Sequence, residues 1–327
     1  MQPTTTLVTG AAGFIGSHVA EALVRRGGHR VVGIDNFDDF YDRSIKEANV
    51  RAVVRSATGG GGGAFDLEEL DVTDSPRLSA LVAKLKPQAV LHFAARAGVR
   101  PSIERPAEYV RVNVEGTAHL LEAAVRNGAQ RFILASSSSV YGNGASVPFR
   151  EDDPAVEPIS PYAASKRGAE LIGHAFWHLY RLPVYCLRFF TVYGPRQRPD
   201  LAIHKFTKLI LSGQPIPVFG DGSTSRDYTY VDDVVAGVLA ALERCDRFRV
   251  YNIGGSNPVS LATLIAHLER VTGRGAVIDR RPAQAGDVGR TFADVSRARA
   301  ELGYEPKTPI EQGLRRFVEW LQASDVR

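Results

Sequence analysis

Cysteine is scarce in this 327-residue sequence: only Cys186 and Cys245 are present. They stand far apart and match no metal-ligand or redox spacing, which argues against a cysteine-based metal or redox centre. A chain of this length can bury a core large enough to be stable without a disulfide. We therefore expect the protein to work in a reducing compartment, the cytoplasm.

Long apolar runs are missing as well. No stretch approaches the roughly 20 apolar residues that a membrane helix needs. The N-terminus lacks the basic segment followed by an apolar stretch that marks a signal peptide. We therefore expect no membrane partner. With 44% hydrophobic and 23% charged residues, the composition is that of an ordinary globular protein.

Positive charge is not concentrated anywhere. The formal net charge is +4, and the 40 Lys and Arg residues are spread along the chain without a basic block that contains interleaved aromatics. A nucleic-acid partner is therefore not expected. A mildly basic protein suits a small polyanionic ligand instead.

Short β-rich runs alternate with amphipathic helical stretches through the first two thirds of the chain. Strands are predicted at 4–9, 30–35, 64–71, 89–93 and 131–136, and helices at 17–26, 76–84, 109–127 and 161–180. Such alternation predicts an α/β fold with a doubly wound, Rossmann-like parallel sheet covered by helices on both faces. Ligands bind to such sheets at the carboxyl ends of the strands.

Two regions depart from this rhythm. Residues 38–63 interrupt it and end in five consecutive glycines, 59–63, which predict a flexible surface loop. Beyond Tyr193 the elements become shorter and glycine-rich turns separate them. We expect one domain from 1–193 plus about 227–258, and a smaller C-terminal domain from about 194–226 plus 259–327.

A glycine-rich turn follows the first strand and opens the first helix. Gly10, Gly13 and Gly16 are spaced GxxGxxG, with Phe14 and Ile15 between the last two. Glycines at such a turn let the backbone approach a pyrophosphate, which then lies at the positive end of the helix. Alone, the pattern also fits a turn that needs glycine only for its geometry.

An acid at the end of the second strand makes a dinucleotide site the better interpretation. Asp35, followed by Asn36, lies close to the offset of about 20 residues expected of the carboxylate that binds the adenosine ribose. A carboxylate there repels a 2′-phosphate, so NAD is favoured over NADP. The alternative is that both are ordinary loop residues.

Two further strand ends fit the same pocket. Asp71 and Val72 end the third strand, where they could meet adenine, and Ala94 and Ala95 end the fourth, where small side chains leave room for a cofactor. Ordinary packing at the ends of strands is the alternative for both pairs.

A serine run at 136–139 follows the fifth strand. Tyr162 and Lys166 lie at the start of the next predicted helix, directly after Ser160 and Pro161. Ser160 is a plausible N-cap, and residues four apart on a helix face the same way. A free tyrosine has a pKa of about 10 and is a poor base. A nearby ammonium favours the phenolate, so the spacing predicts a tyrosine that takes a proton from a hydroxyl group.

These motifs, in this order, resemble the extended short-chain dehydrogenase/reductase family. Within it the chain is most similar to nucleotide-sugar 4-epimerases, in particular those acting on UDP-glucuronate. The resemblance extends over nearly the whole chain and is carried by residues 97–100 (AGVR), 136–142, 188–195 (RFFTVYGP) and 198–200 (RPD). It implies bound NAD, a UDP-sugar substrate and a homodimer.

The resemblance also implies roles for single residues. Ser137, with Ser138 beside it, matches the serine that binds the reacting hydroxyl. Tyr162 matches the general base and Lys166 the residue that binds the nicotinamide ribose, and Asn113 is assigned to the cofactor site. The implied reaction oxidises C4 of the sugar, rotates the 4-keto sugar in the pocket, and reduces it on the other face.

Related enzymes of this family start with the same oxidation and then diverge. The 4,6-dehydratases carry an Asp-Glu pair where this chain has Ser138 and Ser139, and UDP-glucuronate decarboxylases carry a glutamate at the second position. Serines cannot do that acid–base work at neutral pH, so epimerisation is favoured. A catalytically silent NAD-binding sensor on the same fold is a further alternative.

On the substrate side, the resemblance assigns contacts to five residues: Val99, Thr191, Arg198, Arg226 and Asp287. Arg198 suits a glucuronate carboxylate because a guanidinium can make a two-pronged contact. Its alternatives are a solvated loop residue or a phosphate contact. Arg226 matches a diphosphate contact, with an ion pair to Asp232 or Asp233 as the alternative.

Four positions limit the substrate and metal predictions. Gln284 replaces an arginine that UDP-glucose 4-epimerases often carry, and Thr291 stands where they place a tyrosine, which leaves room for a larger, N-acetylated sugar. His174 and His178 have the spacing of metal ligands, but the accompanying glutamate and a third ligand are missing. No metal is therefore expected.

Overall fold

The central sheet contains seven parallel strands, in a computed structural model that describes residues 4–58, 62–282 and 289–324. The described residues form twelve strands, including those of two smaller sheets. In chain order they are β1 (Thr4–Thr9), β2 (His29–Asp35), β3 (Ala64–Glu69), β4 (Ala89–His92), β5 (Arg131–Ser137), β6 (Val184–Phe189), β7 (Thr191–Tyr193), β8 (Ile216–Phe219), β9 (Ser225–Tyr230), β10 (Phe248–Ile253), β11 (Pro258–Ser260) and β12 (Ile278–Arg281). In space the central sheet runs β3-β2-β1-β4-β5-β6-β10. The order reverses between β1 and β4, and a doubly wound sheet binds its ligand at that point.

Helices cover both faces of this sheet. They are α1 (Phe14–Arg26), α2 (Arg43–Thr58), α3 (Ser75–Leu85), α4 (Val99–Glu104), α5 (Pro106–Val110), α6 (Gly116–Arg126), α7 (Pro161–Tyr180), α8 (Ala202–Leu211), α9 (Val231–Arg244), α10 (Leu261–Thr272), α11 (Ser296–Leu302) and α12 (Ile310–Ala323). Neighbouring residues of one strand, such as Leu7 and Val8, belong to the cores on opposite faces. The predicted doubly wound α/β fold is thus confirmed.

The predicted helix start at Ser160 is also confirmed. Its hydroxyl accepts a hydrogen bond from the backbone N–H of Ala163 at 3.1 Å, and Pro161 occupies the first helical position. Proline is well suited there because the first N–H groups of a helix have no intrahelical partner. α7 therefore begins directly after the cap and carries Tyr162 in its first turn.

The prediction that residues 38–63 interrupt the alternation of strands and helices was wrong, because the helix α2 occupies Arg43–Thr58 between β2 and β3. Its buried residues include Ile45 and Val53, but also the polar Lys46 and Asn49. The Asn49 side chain donates to the Ala12 carbonyl at 2.9 Å, so α2 is attached to the glycine turn by polar contacts. A search for apolar periodicity misses such a helix. Of the glycine run, residues 59–61 lie outside the described residues.

The predicted helix 109–127 is divided into three parts. α5 leads into a π-helical segment, Arg111–Glu115, which continues as α6. Asn113 lies in this π-helical segment, and such widened turns are frequent at functional sites. The predicted ends of the third and fourth strands were too long by one or two residues, since β3 ends at Glu69 and β4 at His92.

The chain beyond Tyr193 adds smaller elements to the central sheet. A three-stranded sheet has the order β11-β9-β7, and β8 pairs with β12 in a parallel two-stranded sheet. Helices α8, α10 and α12 pack beside them. Among the described residues, no helix combines the length and the apolarity that crossing a membrane requires.

Candidate functional site

A cavity of about 540 Å³ opens at the carboxyl edge of the central sheet. Its volume lies in the usual range of ligand sites. Nearly all the residues singled out in the sequence line it: Gly10, Gly13, Phe14, Ile15, Gly16, Asp35, Asn36, Asp71, Val72, Ala94, Ala95, Val99, Ser137, Ser138, Tyr162, Lys166, Thr191, Arg198 and Arg226. Asn113 is not among its lining residues, and Asp287 and Gln284 lie outside the described residues.

The glycine turn forms one wall where backbone segments approach closely. Gly10 has a φ of 68°, and a Cβ on it would lie 2.7 Å from the backbone nitrogen of Ala94. A Cβ on Gly16 would clash with the Gly10 carbonyl oxygen. α1 begins at Phe14 with Gly13 as its N-cap, so the backbone N–H groups of its first helical turn point toward the glycine-rich turn. The residues present therefore fit a bound pyrophosphate.

Asp35 is held at the end of β2 by backbone N–H groups. Its carboxylate accepts from Ala12 at 3.1 Å and from Phe37 at 2.9 Å. Burial raises the pKa of Asp35, while the Lys46 ammonium and these hydrogen bonds favour the carboxylate. Its remaining lone pairs are suited to ribose hydroxyls, as expected for NAD.

Asn36 and Asp71 lie together beside this carboxylate. The Asn36 amide donates to Asp71 at 2.8 Å, and Asp71 also accepts from the backbone and hydroxyl of Thr73. Both side chains are bound in a polar cluster at the cavity, so Asp71 is not an ordinary strand-end packing residue. This cluster brings together two residues, Asn36 and Asp71, that the sequence placed in separate motifs.

Sequence reasoning missed a set of lining residues in the loop after β2 and in the first turn of α2. Phe40, Tyr41 and Lys46 line the cavity, and the Lys46 ammonium donates to the Asp38 carbonyl at 2.6 Å. The Asp38 carboxylate accepts from Arg96, 2.9 Å away, which lies after β4. The one available signal was the cluster of aromatic and charged residues immediately after Asp35.

Ser137 and Tyr162 both line this cavity, Ser137 at the end of β5 and Tyr162 in the first turn of α7. The Ser137 oxygen accepts a hydrogen bond from the Ser139 hydroxyl at 2.9 Å. Burial raises the pKa of Tyr162, while the Ser137 hydroxyl and the charge of Arg198 lower it. Both neighbours therefore favour the phenolate form of the tyrosine.

Lys166 lies one helical turn beyond Tyr162 and is nearly fully buried. Its ammonium donates to the Ala135 carbonyl at 2.9 Å. Burial lowers the pKa of Lys166 to about 8, although the Glu170 carboxylate opposes this shift. Glu170 in turn accepts from the Arg188 guanidinium at 2.9 and 2.8 Å and from Ser136 at 2.5 Å. The carboxylate that favours the charged form of Lys166 is thus itself held by a buried ion pair with Arg188.

Asn113 stabilises the wall of the cavity. Its side chain bonds both the N–H and the carbonyl of Arg96, at 2.8 and 2.9 Å, and the Ser165 hydroxyl at 2.9 Å. It is 2% exposed. These bonds tie the segment after β4 to α7, so Asn113 acts on the site through its neighbours in this structure.

Arg198 points toward the Tyr162 end of the cavity. Its Nε and one Nη donate to Asp200 at 2.9 and 2.8 Å, and its guanidinium lies 5.2 Å from the centre of the Phe40 ring. Thr191 lines the same region. One edge of the guanidinium is therefore used by Asp200, and a carboxylate ligand can be met by the edge formed by the two Nη groups.

Arg226 lines the cavity and does not form the ion pair that the sequence left open. Its guanidinium donates to the Ser225 carbonyl at 3.0 Å. Asp233 instead accepts from the backbone N–H of Lys307 and Thr308, and Asp232 pairs with Arg316. The structural alternative for Arg226 is therefore wrong.

The described acidic residues that line the cavity are Asp35, Asp38 and Asp71, which lie at or just after the ends of β2 and β3. Ser138 and Ser139 line the cavity directly after β5. In the described part of the chain no cluster of His, Cys, Asp and Glu side chains could hold a metal ion.

Comparison with known proteins gives consistent relatives. The family model for GDP-mannose 4,6-dehydratase matches residues 7–317. A UDP-glucuronate 4-epimerase of Thermodesulfobacterium geofontis is 42% identical over 96% of this chain and 95% of its own. The solved UDP-glucuronic acid 4-epimerase of Bacillus cereus, in complex with UDP-glucuronic acid and NAD, is 36% identical, with a TM-score of 0.88 over 98% of this chain and 99% of its own.

A UDP-glucose 4-epimerase is nearly as similar in structure. The enzyme of Thermotoga maritima, solved with UDP-glucose, is 34% identical, with a TM-score of 0.88 over 98% of this chain and 99% of its own. The resemblance drawn from the sequence motifs is thus confirmed. Both kinds of relative have the same TM-score with this chain, so the overall fold does not distinguish their substrates. The choice of sugar therefore depends on individual side chains.

Proposed function

The chain belongs to the family described by the GDP-mannose 4,6-dehydratase model, within the extended short-chain dehydrogenase/reductases, and we propose that it is an NAD-dependent 4-epimerase of UDP-glucuronate. The observation that carries this proposal is that Ser137, Tyr162 and Lys166 line one cavity together with the glycine turn, with Lys166 one helical turn beyond Tyr162. A sugar C4 hydroxyl bound there meets a base and an orienting serine.

NAD fits the residues at the other end of the cavity. The glycine turn and the start of α1 suit its pyrophosphate, and Asp35 suits its adenosine ribose and disfavours a 2′-phosphate. When bound, NAD accepts hydride from C4 of the sugar and returns it, so the net reaction is redox-neutral. We assign Asn36, Asp71, Val72, Ala94 and Ala95 to the adenosine half of this site.

The protein's own residues handle the proton and the orientation of the sugar. Tyr162 takes the proton from the C4 hydroxyl and later returns it, while Ser137 binds the same oxygen. Ser138 lies beside them, and Lys166 supplies an ammonium that binds the nicotinamide ribose. Rotation of the 4-keto sugar before its reduction then inverts C4.

Epimerisation is favoured over dehydration by the side chains near Tyr162. Elimination of water needs an acid and a base besides the tyrosine. Ser138 and Ser139 provide neither at neutral pH, and the described acidic residues that line the cavity, Asp35, Asp38 and Asp71, lie at or just after the ends of β2 and β3 and not after β5. The 4-keto sugar is therefore protected from elimination and returned as the epimer.

The uronate is favoured by Arg198. Its charge reaches Tyr162, and its two Nη groups can bind a carboxylate on the sugar while Asp200 holds the other edge. We assign the diphosphate to Arg226 and nearby contacts to Val99, Thr191 and Asp287. We also retain the division into an NAD-binding domain, 1–193 plus about 227–258, and a UDP-sugar domain formed by the rest.

UDP-N-acetylglucosamine is the second candidate substrate, because Thr291 is small and lines the cavity. Its hydroxyl accepts a hydrogen bond from the backbone N–H of Asp227 at 3.0 Å. The side chain is held by this bond and does not act as a bulky barrier to the sugar. Space at this point favours a sugar with an added acetyl group.

A homodimer and a cytoplasmic location complete the proposal. Exposed apolar side chains occur on helices that pack together, Ile103 on α4, Val110 on α5, and Leu171 and Leu179 on α7. Exposed apolar side chains on neighbouring helices support a protein–protein interface on this side of the molecule. Both cysteines are buried and unpaired, which supports a reducing compartment.

Proton NMR of the purified protein tests the proposed reaction. UDP-glucuronate, UDP-glucose and UDP-N-acetylglucosamine are each supplied separately, without added NAD. We expect UDP-glucuronate to equilibrate with its 4-epimer, and Tyr162→Phe to slow this by about 100-fold or more because the general base is lost. Turnover of a neutral sugar alone contradicts the uronate assignment. Release of carbon dioxide or an unsaturated keto sugar contradicts epimerisation.

A further inference from the structure

A buried ion pair joins the loop that carries Arg198 to the helix that follows the glycine turn. Arg196, two residues before Arg198, donates to the Glu21 carboxylate at 2.5 Å. The two side chains are only 13% and 8% exposed. They are 175 residues apart in the sequence, so the contact connects the sugar end of the cavity with α1.

Glu21 is held in place from a second side. Its other carboxylate oxygen accepts from the Ser56 hydroxyl on α2 at 2.8 Å and pairs with the exposed Arg25 at 2.5 Å. Glu21 lies about 12 Å along α1 from Gly13, because each helical residue advances the chain by about 1.5 Å. It is therefore too far along the helix to touch a pyrophosphate, and acts through Arg196.

The side chains of the successive residues Arg196, Gln197 and Arg198 point in different directions. Arg196 has a φ of 63°, a left-handed conformation that costs free energy for a residue other than glycine. Gln197 is buried, donates to the Val192 carbonyl and accepts from His204 through its own carbonyl. Arg196 thus points to α1, Gln197 into the interior and Arg198 into the cavity.

We propose that Glu21 and Arg196 are positioning residues that hold Arg198 at the sugar carboxylate and so determine the preference for a charged sugar. Before Arg198 the loop is fixed to α1 by the contact between Arg196 and Glu21, and the Arg198 side chain itself is held by Asp200. Without Glu21 the buried Arg196 loses its counter-ion and moves toward water. The loop then shifts Arg198, whose two-pronged contact tolerates little displacement. This inference depends on the proposed function, since it assumes that Arg198 binds a uronate.

The test compares two ligands of the NAD-loaded enzyme that differ in the sugar. UDP-glucuronate and UDP are titrated into the wild-type protein and Glu21→Gln by calorimetry, and KM is measured for UDP-glucuronate. We expect Kd and KM for UDP-glucuronate to rise by about 10- to 100-fold, since a displacement of about 1 Å can cost that much. The Kd of UDP, which has no carboxylate at that end, should change by less than about twofold.

Matched variants separate positioning from a general loss of structure. Arg25→Met removes the exposed partner of the same Glu21 and should leave both affinities unchanged. Arg196→Met should reproduce the effect of Glu21→Gln, and Arg196→Lys should restore part of the lost affinity because it keeps the charge. If Glu21→Gln does not fold, as judged by its thermal unfolding, the comparison of Arg196→Lys with Arg196→Met decides the question.

The results that would overturn the inference differ from those that overturn the function. If UDP and UDP-glucuronate weaken together, or if neither affinity changes, Glu21 and Arg196 do not position Arg198. If the wild-type enzyme does not turn over UDP-glucuronate, the proposed function itself is wrong, whatever the variants do.

Discussion

The proposed chemistry depends on two side chains that burial affects in opposite ways. Burial raises the pKa of Tyr162 and lowers that of Lys166, because both shifts favour the uncharged form. Catalysis needs the charged form of each. Ser137 and Arg198 counteract the effect at Tyr162, and Glu170 counteracts it at Lys166. The neighbours of these two residues are therefore as important as the residues themselves.

The ionisation of the Lys166 ammonium should be visible in the pH dependence of kcat/KM. Its pKa is lowered to about 8, so the ammonium is present below that pH and is lost as the pH rises through it. We expect kcat/KM for UDP-glucuronate to fall above about pH 8, because this constant reports the ionisation of the free enzyme. Lys166→Met should be much less active and lack this alkaline decrease. A wild-type profile that stays flat to pH 10 would rule out the role.

At the scale of elements, α7 joins the two sides of the site. It carries Tyr162 and Lys166 on one turn, and Glu170 on the next turn binds Arg188 of β6 and Ser136 of β5. Arg188 also lies 4.7 Å from the centre of the Tyr141 ring. Glu170 thus fixes α7, which carries Tyr162, to β6 by a buried ion pair and to β5, which ends at Ser137, by a hydrogen bond.

Removing one member of this ion pair should destabilise the protein strongly. Glu170→Gln leaves Arg188 buried without a counter-ion, so we expect the free energy of unfolding in urea to fall by about 3–5 kcal/mol. Arg167→Met is the control, since Arg167 pairs with the same Glu170 but is partly exposed, and should cost no more than about 1 kcal/mol. Equal losses in the two variants would contradict this account of α7.

For the whole molecule, the apolar surface on α4, α5 and α7 predicts how copies associate. Light scattering after gel filtration should give twice the 35.5 kDa of one chain. Leu179→Glu puts a charge in the apolar surface and should shift the protein toward monomer, because burying an unpaired charge is costly. Val277→Glu, an exposed position on another part of the molecule, should have no effect. A wild-type monomer would refute the homodimer.

Much of the fold follows from local pattern. The strands that lead to the site, the glycine turn and the capped start of α7 were predicted because each depends on residues close together in the sequence. The helix α2 was missed because it buries Lys46 and Asn49 among its apolar residues, which weakens the periodic signal. With it, the lining residues Phe40 and Tyr41 were missed as well.

The sequence by itself determined the doubly wound fold, the dinucleotide site and the serine, tyrosine and lysine of the proposed chemistry, because turns, caps and helical spacing are properties of neighbouring residues. Only the tertiary structure decided that Arg198 and Arg226 line the same cavity, that Arg226 has no acidic partner at Asp232 or Asp233, and that Glu21 holds Arg196. These placements depend on how distant segments pack side by side, as in the contact between Glu21 and Arg196, which are 175 residues apart. No local pattern encodes them, since each member has several chemically equivalent partners in the sequence.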